Sequence, residues 1–158
     1  MKQISLFLAS SITQFHMERL ELGNFIRLVN DRLEDQGIQF SLFMCEEADD
    51  AMSLTRKQDQ YNDQIRKSDW FVLLVQDTIG MYTLEEYEIA QKHCPYLFFF
   101  VKGKSPIALE NPIHFDHIDQ VKWHLLQAIN QTYVQAPLEM RDGYAYWNGN
   151  IFRNIKSR

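Results

Sequence analysis

Two short segments of this chain combine carboxylate, hydroxyl and aromatic groups where a ligand could be held. The segment Gly80-x-Tyr82-Thr83-x-x-Glu86 follows the apolar run Trp70-Phe71-Val72-Leu73-Leu74-Val75 and opens a helix, whereas Ser10-Ser11 follows a first apolar run that ends at Ala9. Because open α/β sheets bind ligands outside the carboxyl ends of their parallel strands, we expect both segments to face one cleft. A carboxylate, two hydroxyls and an aromatic ring in one cleft suit a sugar ring.

Both segments also have a structural explanation. Ser11 with Gln14, and Thr83 with Glu86, have the spacing of a helix capping box, in which the two side chains satisfy the free N–H groups of the first turn. Glu85 would then only favour the positive end of the helix dipole. For each segment taken alone, the cap is the simpler interpretation.

Motifs of several other chemistries do not occur in the sequence. It contains no Gly-x-Gly-x-x-Gly, no phosphate-binding Gly-Lys-Ser/Thr loop and no Gly-x-Ser-x-Gly, which disfavours dinucleotide oxidoreduction, nucleoside triphosphate hydrolysis and serine hydrolysis. His114, His117 and His124 have no spacing typical of zinc ligands, so no metal site is predicted.

The apolar pattern changes period repeatedly, which predicts alternating strands and helices. This alternation is typical of an α/β fold with a parallel sheet flanked by helices, here followed by a small C-terminal hairpin at the turn sequence Asn148-Gly149. We expect a first domain over residues 1–136 and a hairpin or connector over residues 137–158. The predicted segments are strands over 4–9, 38–45, 69–75 and 96–101, helices over 13–36, 58–67, 83–94 and 118–129, and loops over 46–57 and 102–116.

Charge and composition limit the partners. A net charge of −5 provides no basic surface for nucleic acid. No run approaches the roughly 18 apolar residues of a membrane span. Cys45 and Cys94 lie in or beside apolar segments without a Cys-x-x-Cys spacing, which favours reduced thiols and a cytoplasmic location.

In order and spacing, a set of residues over roughly 3–135 resembles bacterial TIR-like domains, which are flavodoxin-like modules of antiphage defence and signalling proteins. A more distant resemblance is to nucleoside 2-deoxyribosyltransferases. The residues that carry the resemblance are Phe7-Leu8-Ala9-Ser10-Ser11, Glu18-Arg19, Cys45-Glu46, Gln60-Tyr61-Asn62, Ile65, Ser68-Asp69, and Gly80-x-Tyr82-Thr83-x-x-Glu86-x-x-x-Ala90.

The resemblance implies cleavage of NAD⁺ at the nicotinamide–ribose bond, with NAD⁺ as a consumed substrate and no cofactor. Glu86, four residues before Ala90, corresponds to the family's catalytic glutamate, and Glu85 is its rival if the register slips by one. The resemblance places substrate-binding residues on the loops after the strands. They are Ser10, Ser11, Glu46, Gly80 and Tyr82.

Three functions therefore remain open. The first is an NAD⁺ nucleosidase or ADP-ribose cyclase of a bacterial immune or signalling protein, which self-associates and is gated by a C-terminal sensor or repeat region beyond this chain. The second is a non-enzymatic module that oligomerises through its helices and the 46–57 loop. The third is a nucleoside deoxyribosyltransferase-like hydrolase, which keeps the carboxylate and changes the substrate.

Overall fold

The computed structural model describes residues 1–11, 13–45 and 51–157, with only the backbone of residues 51–57. Within it the chain forms two compact units, Met1–His114 and Phe115–Arg158. Helix α4 (Ile118–Ile129) belongs to the second unit. The domain boundary that the sequence placed between residues 136 and 137 stays a prediction.

The first unit is an α/β sandwich built on a five-stranded sheet. The strands are hydrogen-bonded in the order β2-β1-β3-β4-β5 and every neighbouring pair is parallel, which is the flavodoxin-like order. The predicted α/β fold is therefore confirmed. Its elements are β1 (Lys2–Ser10), α1 (His16–Leu33), β2 (Ile38–Met44), α2 (Ala51–Arg66), β3 (Trp70–Gln76), α3 (Met81–His93), β4 (Tyr96–Lys102) and β5 (Ile113–His114).

Strands β1 and β3 form the centre of this sheet because their side chains are apolar on both faces. In β3 the six residues from Trp70 to Val75 are all buried. Phe7 pairs with Phe71 in register, and their rings stack with centroids 6.2 Å apart. Ile65 of α2 and Ala90 of α3 are completely buried in the same hydrophobic core as these two rings. This packing fixes α2 and α3 against the sheet, and with them the residues that face its carboxyl edge.

Two boundaries show how local sequence sets the helices. Helix α1 ends at Leu33, a single 3₁₀ turn follows, and Gly37 closes it with a φ of 68°, the left-handed conformation that a glycine adopts without strain. The predicted glycine cap is confirmed. The prediction that residues 46–57 form a loop is wrong for 51–57, because α2 begins at Ala51, while 46–50 lie outside the described residues.

The second unit joins α4 to a three-stranded antiparallel sheet. Its strands are β6 (Leu138–Arg141), β7 (Tyr144–Trp147) and β8 (Asn150–Lys156), in that order. Asn148 and Gly149 both have positive φ, 52° and 80°, as a two-residue hairpin turn requires, so the predicted hairpin is confirmed and extended by one strand. Asn130 anchors this unit, since its Oδ1 accepts hydrogen bonds from the Ala136 backbone at 3.0 Å and the Trp147 indole at 2.9 Å.

Of the helices in the described part of the chain, none combines the length and apolar composition that crossing a bilayer requires.

Candidate functional site

A cavity of about 510 Å³ opens in the first unit at the carboxyl ends of β1 and β3. Strand order reverses between these two strands, because the chain runs outward to β2 from β1 and then outward in the opposite direction from β3. Loops that leave neighbouring strands in opposite directions cannot cover the edge between them, so a crevice remains there. The cavity is lined by Ser10, Ser11, Thr13, Gln14, Cys45, Gln58, Thr78, Ile79, Gly80, Met81, Tyr82, Thr83 and Glu86.

Glu86 lies on the buried face of α3. That face consists of Thr83, Glu86, Tyr87 and Ala90, at the spacing of one helical stripe, and Glu86 is only 3% exposed. The helix begins at Met81, with Gly80 as an N-cap that makes no side-chain hydrogen bond. The capping-box interpretation of Thr83 and Glu86 is therefore wrong, since both residues lie inside the helix and line the cavity.

The Glu86 carboxyl is an under-paired acid in a poorly solvated place. Burial raises its pKa from 4.5 to about 8; a hydrogen bond from Gln58 and the positive charge of Arg19 oppose this rise, and the nearby Glu85 carboxylate adds to it. Among the described residues, Oε2 of Glu86 has no hydrogen-bond partner. An oxygen in that state is available to a ligand and raises the free energy of the empty site.

Arg19 connects the strands beneath the cavity. Arg19 is only 7% exposed, and its guanidinium donates to Ser10 Oγ at 3.0 Å and also to the backbone carbonyl of Cys45. Ser10 ends β1 and Cys45 follows β2, so this one side chain ties together two strand ends that are 35 residues apart in sequence. Its charge also favours the ionised form of Glu86.

A row of neutral polar groups forms the wall opposite α3. The Ser11 hydroxyl accepts from the Gln14 backbone at 3.3 Å, while the Gln14 amide donates to Gln76 O at 3.1 Å and to Thr78 Oγ1 at 3.2 Å. The predicted reciprocal capping box at Ser11 does not form, because Gln14 reaches across to the loop after β3 and α1 has Phe15 as its N-cap. The wall is therefore cross-linked and offers hydroxyls that can bond to a sugar.

Most of the residues selected from sequence are brought together. Ser10, Ser11, Gly80, Tyr82 and Glu86 all line the cavity, whereas Glu46 lies outside the described residues. The rival Glu85 is exposed and does not line the cavity; it faces a neighbouring surface depression that also contains Glu88. Sequence reasoning missed Gln58 and Thr83 as lining residues; Gln58 with Asn62 shows an i, i+4 polar pair that could have indicated a second wall.

Within the described part of the chain, no group of three or more His, Cys, Asp or Glu side chains is arranged to hold a metal ion. His117 instead caps α4 by accepting from the Asp119 backbone at 3.1 Å.

No protein-family model matches this chain, and no curated protein matches it either. Among solved structures, it is similar to a 3-dehydroquinate dehydratase-like protein from Bifidobacterium longum, with 16% sequence identity and a TM-score of 0.42. The alignment covers 83% of this chain and 98% of that one. A likeness of this size carries no argument about function.

The resemblance to bacterial TIR-like domains and, more distantly, to nucleoside 2-deoxyribosyltransferases is wrong. No family model supports it, and the structural similarity found is to a protein of another description. The residues that suggested it follow parallel strands at a switch in strand order, where unrelated proteins with this topology also place their ligand groups. An expected role in antiphage defence rested on that resemblance alone.

Proposed function

We propose that this protein cleaves the bond between nicotinamide and ribose in NAD⁺, with Glu86 as the essential carboxylate. One observation carries the proposal: a carboxyl group 3% exposed, with an oxygen unpartnered among the described residues, faces a cavity at the edge where this fold binds ligands. A cavity of about 510 Å³ is of the size that small-molecule sites have, and its hydroxyl wall can bond to ribose hydroxyls.

A single carboxylate is sufficient for this bond. Glycosidases usually need a second carboxyl group because an alcohol leaves only when it is protonated. Nicotinamide leaves from a cationic pyridinium and takes the bonding electrons with it as a neutral molecule, so no proton donor is required. The positive charge that remains develops on the ribose, where Glu86 can stabilise it. A group aimed at such a charge contributes on the order of 10²–10³ in rate.

The protonation of Glu86 fits a cationic substrate. With a pKa of about 8, roughly one tenth of the free protein carries the ionised carboxylate at pH 7. A positive charge within a few ångströms lowers a carboxyl pKa by about 1–3 units. Binding of NAD⁺ would therefore release a proton from Glu86 and leave the carboxylate charged beside the bond that breaks.

The same pKa supports one alternative. Cleavage of an uncharged nucleoside requires a proton on the leaving base, and a carboxyl group that is mostly protonated at pH 7 can supply it. In that reaction Glu86 is a general acid. The two candidate reactions both depend on Glu86, but cleavage of NAD⁺ needs its ionised form and cleavage of a nucleoside needs its protonated form.

The test is nicotinamide release from NAD⁺ by concentrated protein, measured from pH 6 to pH 9 beside a panel of uncharged nucleosides. Glu86→Gln should lower the rate of nicotinamide release by a factor on the order of 10²–10³. Glu88→Gln is the matched control, because it makes the same substitution at an exposed position of α3 and Glu88 is not among the groups that shift the pKa of Glu86.

The pH profile separates the two reactions. For NAD⁺, kcat/KM should rise with pH around the pKa of Glu86 in the free protein, about 8; for a nucleoside it should fall through the same pH. Turnover that survives Glu86→Gln would overturn the assignment of this residue. If no substrate is turned over at any protein concentration, the non-enzymatic interaction module becomes the better proposal.

We propose a cytoplasmic location for this activity, because NAD⁺ is available there. Cys45 and Cys94 form no disulfide, and their thiols would stay reduced in that compartment. We also propose that the chain self-associates. Met17 and Leu20 of α1 are 64% and 59% exposed, which suits a surface that is covered on assembly.

A further inference from the structure

Helix α2 carries a buried polar pair behind the cavity wall. Gln58 and Asn62 lie one helical turn apart and are 4% and 5% exposed. Gln58 Nε2 donates a hydrogen bond to Asn62 Oδ1 at 2.8 Å. Amide side chains are rarely buried without a specific partner, so the pair requires an explanation beyond the packing of the helix.

Gln58 and Glu86 both line the cavity, and the orientation of the Gln58 amide determines its effect on the carboxyl. The hydrogen bond between them favours the ionised carboxylate, which means that the amide nitrogen donates and the carboxylate accepts. A glutamine amide has a nitrogen on one side and an oxygen on the other, and turning it by half a revolution exchanges them. In the turned state the Gln58 oxygen would face the carboxylate and repel it.

The partner of Gln58 on α2 selects between these two states. Asn62 presents its oxygen to Gln58, and an oxygen accepts only from the nitrogen side of the amide. The two protons of Gln58 Nε2 can thus serve Asn62 and Glu86 together, whereas turning the Gln58 amide alone would set its oxygen against the Asn62 oxygen as well. Asn62 itself is not among the residues that line the cavity.

We propose that Asn62 is a positioning residue: through the Gln58 amide it holds the Glu86 carboxylate in the cavity, ready to act on a ligand. Its effect on catalysis rests on the function proposed above, whereas its effect on Glu86 does not. The other charged groups that act on Glu86 are Arg19 of α1 and Glu85 of α3; for residues 51–57 of α2 the structure describes no side chains.

The experiment is the titration of the Glu86 carboxyl by carbon NMR on protein labelled at glutamate, with the signal assigned from Glu86→Gln. Asn62→Leu has a similar volume and no acceptor, so the Gln58 amide loses its preferred orientation. We expect the pKa of Glu86 to rise by about one unit, the size of one lost hydrogen bond to a charged group. We expect kcat/KM on NAD⁺ at pH 7 to fall about tenfold, because the free protein then carries about one tenth as much ionised carboxylate, and the pH profile of kcat/KM to move up by about one unit.

A double variant tests the route of the effect. If Asn62 acts only through Gln58, then Asn62→Leu added to Gln58→Leu should move the pKa no further than Gln58→Leu alone. Asn30→Leu is the control, because Asn30 makes two side-chain hydrogen bonds, both to the Phe40 backbone, and does not line the cavity. It should weaken the fold and leave the Glu86 titration in place.

If Asn62→Leu does not fold, Asn62→Ser replaces it, since a serine hydroxyl ends about one bond length short of the amide oxygen and cannot reach Gln58. An unchanged Glu86 pKa in both variants, or a shift equal to that of Asn30→Leu, overturns the inference. A parent protein without turnover would overturn the proposed function alone, because the titration measures the effect of Asn62 on the Glu86 pKa without any substrate.

Discussion

Replacing Glu86 by glutamine should stabilise this protein, and by an amount that grows with pH. Between pH 4.5 and about 8 the folded protein keeps a proton on Glu86 that the unfolded chain releases. When the folded state binds more protons, the free energy of unfolding falls as pH rises. The stability that depends on the protonation of Glu86 is therefore fully present below about pH 4.5 and is lost as pH rises toward about 8.

The magnitude follows from the size of the pKa change. Each unit corresponds to about 1.36 kcal/mol, so a rise from 4.5 to about 8 destabilises the ionised fold by about 4–5 kcal/mol at high pH. Glutamine has nearly the shape of the protonated acid and never ionises. The gap in unfolding free energy between Glu86→Gln and the parent should be about 1 kcal/mol at pH 5, about 3 kcal/mol at pH 7 and about 4 kcal/mol at pH 8.

The assay is urea unfolding of the parent, Glu86→Gln and Glu88→Gln at pH 5, 6, 7 and 8. With a slope of about 1–3 kcal/mol per molar urea for a protein of this size, the largest gap moves the midpoint by more than 1 M. Glu88→Gln controls for the change in net charge, since Glu88 is exposed on the same helix and is not among the groups that shift the pKa of Glu86.

A gap between Glu86→Gln and the parent that is equal at pH 5 and pH 8, to within about 0.5 kcal/mol, would refute the reasoning. It would mean that Glu86 ionises equally easily in the folded and unfolded chains, and that water or a side chain reaches its second oxygen. A buried ionisable group that weakens the fold is typical of a functional site, where activity and stability make opposite demands.

Three further substitutions test other parts of the network. Arg19→Met should raise the pKa of Glu86 above that of the parent, because it removes the positive charge that favours the carboxylate; the carboxyl titration measures this. Gly103→Ala should lower the unfolding free energy by about 1–3 kcal/mol, because Gly103 has a φ of 71° and an added Cβ would lie 2.9 Å from Asp77 Oδ1; urea unfolding measures this. Asn130→Ala should lower the unfolding free energy by about 2–3 kcal/mol, because it leaves the buried Trp147 indole N–H and the half-buried Ala136 N–H unpaired; thermal unfolding measures this.

Each of these three predictions has a control variant or an outcome that would contradict it. Gly23→Ala places a methyl group inside α1, where no atom lies within 4 Å, and should raise the unfolding free energy by about 0.5–1 kcal/mol. A loss there as large as at Gly103 would contradict the argument from strain. A lowered Glu86 pKa in Arg19→Met would contradict the electrostatic role of Arg19. An unchanged unfolding temperature in Asn130→Ala would contradict the anchoring role of Asn130 in the second unit.

Periodicity predicted the order and type of the principal elements because their packing agrees with their local pattern. The run from Trp70 to Val75 is apolar at every position and becomes the central strand β3, and Gly37 ends the helical segment as its conformational freedom suggests. The exception is the segment 51–57, which carries no apolar period and is nonetheless helical, since α2 is continued across it from the packed residues that follow. Short β5 escaped prediction because two residues contain no period.

The sequence by itself determined that hydroxyls and a carboxylate follow parallel strands, and therefore that Ser10, Ser11 and Glu86 would meet at one edge. It left the role of Glu86 open, because a capping glutamate and a buried one have the same spacing. Only the tertiary structure decided between them, by starting α3 at Met81 and turning Glu86 into the cavity against Gln58. Burial is a property of everything packed around a side chain, so a change in its pKa cannot be read from its neighbours in sequence.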